Sequence, residues 1–274
     1  MTISATEVAK LRKMTGAGMM DCKKALEEAN GNFERASEII REKGKLIAAK
    51  RADREANEGV VLSKTNKDKK AGAIITLNCE TDFVAKNVDF IALAQSILDV
   101  AINEKPKTLD ELKALKINGT PINDLIVEQI GVIGEKLDLS YYQFIEGTYV
   151  LAYIHQGNKT SSLVAFDTVI EERLAKDIAM QIAAMAPVAI DQKDVPQEVI
   201  DKELAIAAEK ARLEGKPENL LEKIAQGRLQ KFFQESTLLN QEFVLEGKIT
   251  VREYLEKNAK GTKVTAFKRY SLND

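Results

Sequence analysis

Tryptophan is absent from this chain of 274 residues, histidine occurs once, and cysteine occurs twice. With His155 as the lone histidine, no metal site can rest on two imidazoles, and any Ser–His or Cys–His nucleophilic pair would have to use it. Cys22 and Cys79 lie far apart and form no CxxC, which argues against a disulfide framework and for a reducing compartment. No apolar run approaches the ~18 residues of a membrane helix. Residues 1–13 contain Glu7 and lack the apolar core of a secretory leader. The expected location is therefore cytoplasmic, without membrane contact. Forty Lys and Arg oppose 42 Asp and Glu, so no basic field exists to hold nucleic acid. No phosphate-cradling GxxxxGK[ST] occurs. Gly16-Ala17-Gly18-Met19-Met20-Asp21 resembles a dinucleotide fingerprint but follows no strand. No cofactor and no resident metal are expected, and no recognisable acid–base pair marks an enzyme.

What the chain does have is helix-forming sequence in quantity: 30% charged and 45% hydrophobic residues, with few aromatics. The first 55 residues read as a three-helix bundle with a connector. Ser4 or Thr6 caps a helix to about Met14, and a second covers 20–29 and stops at Asn30-Gly31. Asn32 caps a third helix that ends before Gly44, and 45–58 forms a helical connector. Leu11, Leu26, Phe33, Ile39 and Ile40 are placed to close a small core. Strands over 60–64 and 71–78 flank a polar loop and predict a hairpin, followed by an amphipathic helix over 88–103. Shorter helices are expected over 109–115 and 122–133.

The order then recurs, with strands over 148–155 and 161–166 and a helix over 171–185. The fold class is α+β, with two similar core subdomains built on antiparallel sheets. They are assigned to 56–146 and to 147–186 with 236–274. Between them, 187–235 reads as an antiparallel coiled-coil hairpin. Ile200, Leu204, Ala207 and Ala211 form one apolar seam, and Leu221, Ala225, Leu229 and Phe232 form the other. A short helix over 251–258 and a strand over 262–272 complete the second sheet.

Three features invite a functional reading. Met14, Met19 and Met20 cluster around a glycine-rich turn, either as core filling or as an adaptable apolar contact surface. In Thr81-Asp82-Phe83-Val84-Ala85-Lys86-Asn87, Thr81 or Asp82 caps a helix while Phe83 plugs the core. Alternatively, Phe83 stands exposed at a loop tip between Asp82 and Lys86. His155 is either a satisfied surface histidine or a contact residue at a subdomain edge. The cluster 67–70 reads as a solvated hairpin loop.

Several longer motifs together resemble the bacterial elongation factor Ts family. They are Leu11-Arg12, the run from Thr15-Gly16-Ala17-Gly18-Met19-Met20-Asp21-Cys22 through Lys23-Lys24-Ala25-Leu26, and Cys79-Glu80-Thr81-Asp82-Phe83-Val84-Ala85-Lys86-Asn87. Tyr153-Ile154-His155, the segment 177–184 and Gly227-Arg228-Leu229-Gln230-Lys231-Phe232-Phe233 also match, so the likeness spans nearly the whole chain in order. The resemblance implies a guanine-nucleotide exchange factor for elongation factor Tu, not an enzyme. It implies that the N-terminal bundle is similar to a ubiquitin-associated domain and docks on the GTPase through Arg12, Met19, Met20 and Lys23. It implies that Thr81, Asp82, Phe83 and Val84 form the loop that enters beside the nucleotide and dislodges the partner's Mg²⁺, and that His155 is a second-subdomain contact. The hairpin corresponds to an arm used for dimerisation or outer contacts.

The chain departs from the family in two places. Gln241-Glu242-Phe243-Val244 has Glu where Pro is usual, and 157–164 replaces the usual Gly-Arg/Lys-x-Gly-x-Leu-Val. Some members carry a further C-terminal helical module, whose contacts are expected to be missing here. The rival readings are a ubiquitin-associated-like adaptor with a structural core and a small-molecule enzyme with an unrecognised site. Exposure of Phe83 separates exchange from both.

Overall fold

The computed structural model describes residues 3–274. Residues 1 and 2, where the expected N-terminal unit begins, lie outside them. Three helices come first: α1 (Ala5–Thr15), α2 (Met19–Glu28) and α3 (Phe33–Lys50). Ser4 caps α1 in a reciprocal box, its hydroxyl accepting from the Glu7 N–H at 3.2 Å while the Glu7 carboxylate accepts from the Ser4 N–H at 2.8 Å. Gly16 ends the helix with φ of 72°, a conformation that costs glycine little because it has no Cβ. Asn32 caps α3, accepting from the Arg35 N–H at 2.9 Å. Leu11, Cys22 and Leu26 are buried between the three, with Phe33, Ile39 and Ile40 packed against them.

One expectation fails here. Gly44 does not end α3, which continues to Lys50. The glycine serves a helix crossing instead of a stop: a Cβ on Gly131 would lie only 2.5 Å from the Gly44 Cα. Two glycines thus let α3 meet a later helix backbone to backbone.

The chain continues with β1 (Glu58–Thr65), β2 (Ala71–Cys79), the single turn α4 (Asp82–Ala85) and α5 (Val88–Glu104). After α6 (Leu109–Ala114) and the two-residue strands β3 (Lys116–Ile117) and β4 (Thr120–Pro121) come α7 (Ile122–Ile133) and β5 (Asp138–Glu146). The buried face of α5 carries Phe90, Ala94, Ile97, Leu98 and Ala101 at helical spacing. The helix stops at Lys105, in the left-handed region just before Pro106. The first sheet has the order β1-β2-β5.

The remaining elements are β6 (Tyr149–Ile154), β7 (Thr160–Phe166), α8 (Glu172–Met185), α9 (Gln197–Leu213), α10 (Leu221–Ser236), α11 (Val251–Asn258) and β8 (Val264–Ser271). The second sheet has the order β6-β7-β8 and is antiparallel, with Tyr149 opposite Phe166 and Thr160 opposite Ser271. In both sheets a hairpin receives a later strand beside its second member. In the second sheet that central strand, β7, is buried along its whole length. Its core joins Phe166, Ile178 and Ile182 to Phe243, Tyr254 and Leu255, with the Phe243 and Tyr254 rings stacked 4.1 Å apart.

α9 and α10 run against each other across the turn at Gly215. Arg228 of α10 donates to the Ala207 carbonyl at 3.3 Å and pairs with Glu214 at 2.6 Å. Ala207, Ala211, Leu221, Ala225 and Leu229 are buried as the spacing predicts. The last seam residue is Phe233, however, and Phe232 is only partly buried. Straight helical spacing from Leu229 favours Phe233, which packs with Ala189 and Val195 at the base of the hairpin. The 67–70 loop also departs from expectation. Lys69 is half-buried, pairs with Glu172 at 2.7 Å and lies over the Tyr149 ring, while its carbonyl accepts from the Val150 N–H at 2.6 Å.

Contacts divide the chain into two compact units. Among the described residues, one contains 3–62, 75–143 and 272–274, and the other contains 63–74 and 144–271.

Candidate functional site: the loop carrying Phe83

β2 is buried throughout and ends at Cys79. The chain must then turn outward, and three side chains fix how it does so. Thr81 sits in extended backbone as the cap of α4, its hydroxyl oxygen accepting from the Val84 N–H at 3.4 Å. The same hydroxyl donates to the Glu135 carboxylate at 2.6 Å. Glu135 also accepts from the N–H groups of Glu80 and Thr81, at 3.1 and 3.0 Å. Two successive amides released by the end of a strand therefore find one carboxylate.

The bracing is reciprocal. Glu80 accepts from the Lys136 N–H at 2.6 Å and from Arg51 at 2.7 and 3.0 Å. These bonds hold the Glu80 carboxyl below its usual range, the Lys136 amide contributing most. Lys136 in turn donates its ammonium to the carbonyls of Ala52 and Arg54 at 2.7 and 2.8 Å. The turn after β2, the turn before β5 and the end of α3 are thus tied into one knot.

α4 is a single turn standing on this knot. Ala85 is buried, Thr81, Asp82 and Val84 are half-buried, and Phe83 is 82% exposed. The core-plug reading of Phe83 fails, because Ala85 and Phe90 fill the interior positions on either side. Asp82 pairs with Lys86 one turn later at 2.6 Å, which keeps the Lys86 ammonium above its usual range. Asn87 then caps α5, accepting from the Asp89 and Phe90 N–H groups at 2.8 and 3.3 Å, and Val88 is exposed beside it. An aromatic ring is thereby held in water, on a short rigid pedestal, between an ion pair and a valine. Behind it the Cys79 thiol donates to the Thr81 carbonyl at 3.1 Å. Burial and the nearby Glu135 push that thiol up to about 12, so it is inert at neutral pH.

In the same unit, the turn between α1 and α2 presents the methionines. Thr15 donates to the Leu11 carbonyl at 2.9 Å and accepts from the Ala17 N–H at 3.3 Å, which fixes the turn from inside. Met14, Met19 and Met20 are exposed, Met20 by 64%. Of the two readings of the cluster, core filling fails: α1, α2 and α3 close on Leu11, Cys22 and Leu26 without them. Arg12 is exposed at the end of α1, and Lys23 on α2 pairs loosely with Glu27 at 3.8 Å.

His155 belongs to the other unit. It is exposed at the end of β6, its Nδ1 3.0 Å from the Tyr153 hydroxyl, before a turn in which Gly157 and Asn158 have φ of 89° and 58°.

Glu80, Arg51, Glu135 and Lys136 were not singled out by the sequence. Glu80 lies inside a quoted motif, but nothing in the spacing ties it to Glu135 or to Arg51.

Among the described residues no three His, Cys, Asp or Glu come together to hold a metal, and no helix is long and apolar enough to cross a membrane.

Known proteins resemble the chain over its whole length. A family model described as Elongation factor TS matches residues 80–274. The chain is 55% identical over 274 residues to a protein named elongation factor Ts of Porphyromonas gingivalis, covering 100% of this chain and 99% of that protein. It is 51% identical over 272 residues to the elongation factor Ts of Amoebophilus asiaticus, and 47% identical over 272 residues to that of Christiangramia forsetii, with 98% of both chains covered in each case.

Proposed function

The chain belongs to the elongation factor Ts family, and on that premise we propose that it is the cytoplasmic guanine-nucleotide exchange factor for elongation factor Tu. In this reading it catalyses no covalent chemistry. It binds the GDP-bound GTPase, Phe83 enters an apolar slot beside the nucleotide, and the displacement it causes dislodges Mg²⁺ and releases GDP.

The observation that carries this reading is the exposure of Phe83 on a pedestal fixed by Thr81 and Glu135. An unbound protein gains nothing from an aromatic ring in water. Burying that ring in a partner is worth about 1.5–3 kcal/mol. A GTPase holds its nucleotide through phosphate contacts and Mg²⁺. A partner that stabilises the geometry without nucleotide must weaken nucleotide binding, and nucleotide must weaken the partner by the same factor. The wedge energy corresponds to roughly ten- to 150-fold in affinity, within the usual span of such couplings.

The exposed residues Arg12, Met19, Met20 and Lys23 support a docking surface on the N-terminal bundle, since thioether chains adapt to a partner's relief. That bundle is proposed to be ubiquitin-associated-like. His155 is proposed as a separate contact, and the α9–α10 hairpin as a coiled-coil arm for dimerisation or outer contacts. No nucleic acid, membrane or cofactor enters the scheme.

The test is release of fluorescent GDP from elongation factor Tu at fixed Mg²⁺, with and without the chain and its Phe83→Ala variant. Strong acceleration by the parent chain, largely lost in Phe83→Ala, is the expected result. Acceleration that survives the substitution would move the mechanism to other contacts. No acceleration at all would leave an adaptor as the better reading.

A further inference from the structure

The pedestal under Phe83 is fastened from outside the loop, by residues that no motif in the sequence contains. The Glu135 carboxylate takes the Glu80 and Thr81 amides on one oxygen and the Thr81 hydroxyl on the other. Glu135 is itself placed by the end of α7, where Gly134 adopts φ of 79° and its N–H donates to the Ile130 carbonyl at 2.9 Å. From the other direction Arg51, the residue that ends α3, pairs with Glu80, with only 17% of the Glu80 side chain exposed. Since α3 is the last helix of the bundle that bears Met19 and Met20, the loop and the bundle share one brace.

We propose that Glu135 is a positioning residue for exchange, and that the Arg51–Glu80 pair links the Phe83 loop to the N-terminal bundle. This inference rests on the exchange reading above and deepens it. Glu135 never meets the partner in this account. It sets the direction in which α4 points Phe83, so that the ring arrives in its slot already oriented when the bundle docks. A wedge on a loose loop would still dock, but it would spend most of its time outside the productive geometry, and misplacement of an acting group by about 1 Å costs on the order of a hundredfold in rate. The signature is thus a loss in the maximal rate of GDP release with little change in the half-saturating concentration of the factor, because docking through the bundle survives.

The experiment uses the full chain in two forms. Because the parent has no tryptophan, Phe83→Trp places a single tryptophan on the loop, and its anisotropy, excited at wavelengths the tyrosines do not absorb, reads loop order without reference to function. Glu135→Ala in that background is expected to lower the anisotropy. Glu135→Gln, which keeps one oxygen for the two amides, is expected to restore most of it. In the chain with Phe83 intact, Glu135→Ala is expected to reduce the maximal release rate roughly ten- to hundredfold, with Glu135→Gln between it and the parent. Arg51→Ala is expected to give a smaller loss of the same kind.

Unchanged anisotropy together with an unchanged maximal rate in Glu135→Ala would overturn the inference. So would a loss confined to the half-saturating concentration. If Glu135→Ala fails to fold by circular dichroism, Glu135→Asp carries the same test, since it keeps the charge but draws the carboxylate back from the two amides and the Thr81 hydroxyl. If the parent chain does not accelerate release, the exchange reading is what fails, and the anisotropy arm still decides whether Glu135 orders the loop.

Discussion

Replacing glycine by alanine at three helical positions should stabilise at one, destabilise at another and change little at the third. In an open helix the substitution stabilises, because alanine has about 1 kcal/mol better helix propensity and a smaller unfolded-state entropy to lose. Gly227, in the middle of α10, has nothing within 4 Å of the Cβ position, so Gly227→Ala should stabilise by about 0.5–1 kcal/mol. At Gly131 a Cβ would lie 2.5 Å from the Gly44 Cα and 3.4 Å from its nitrogen. Carbon atoms rest about 3.5–4.0 Å apart, and both partners here are backbone, so α3 and α7 must separate by ~1 Å along their crossing. Overpacking of this kind costs about 1–3 kcal/mol, and it also thins the contacts beside it. Gly131→Ala should therefore destabilise by about 1–2 kcal/mol, even after the propensity gain.

The reciprocal change is milder. A Cβ on Gly44 would sit 3.5 Å from the Gly131 Cα and 3.6 Å from the Val127 carbonyl, which is ordinary contact, so Gly44→Ala should lie within about 0.5 kcal/mol of the parent. Urea denaturation of the three variants followed by circular dichroism at constant slope measures the differences directly. A Gly131→Ala chain as stable as the parent would refute the reasoning about this crossing. A destabilised Gly227→Ala would refute the assignment of an open helical site.

Met20→Asp should leave the melting temperature unchanged, because the side chain is exposed, while weakening binding to elongation factor Tu measured by titration; unaltered affinity would remove the methionines from the docking surface. Glu80 gives a prediction in pH. Its carboxyl is held below the ordinary 4.5, first by the Lys136 amide and then by Arg51, so the charged form is favoured in the folded state. The stability it contributes is fully present above about 4.5, and it is lost as the pH falls through the lower folded-state value. Glu80→Gln should thus be less stable than the parent at neutral pH, with the gap closing below pH 4.5. A gap that widens on acidification would contradict the assigned direction.

Much of the architecture could be read from the residues, because the local rules agree with one another. Asn32 caps α3, α5 shows its period on Phe90, Ala94, Ile97 and Leu98, and Asn30-Gly31 ends α2 where a left-handed stop belongs. The errors fall where a residue answers to something distant. Gly44 looks like a terminator until Gly131 is placed against it, and nothing near Gly44 announces that meeting. Phe232 and Phe233 are adjacent aromatics, and only the packing of Ala189 and Val195 decides between them. Phe83 presents the same difficulty at the site. An apolar residue one position past a helix cap reads first as a core plug. Its exposure is decided by Ala85 and Phe90 taking the interior, while Glu135, 54 positions from Thr81, holds the turn outward. The link between Glu80, Arg51 and the adjacent pair Glu135 and Lys136 was not legible in the sequence because it joins three distant segments, without a period to betray it.

The β6-β7-β8 order also bears on how the chain is made. β7 is the middle strand, yet its second neighbour, β8, is translated only after α8, the whole α9–α10 hairpin and α11. Throughout that interval a strand that ends up wholly buried carries a bare hydrogen-bonding edge, the kind of surface on which nascent chains pair with one another. The protein is therefore most exposed to aggregation late in its own synthesis, and a ribosome that stalls before residues 264–271 would release a product with an open sheet.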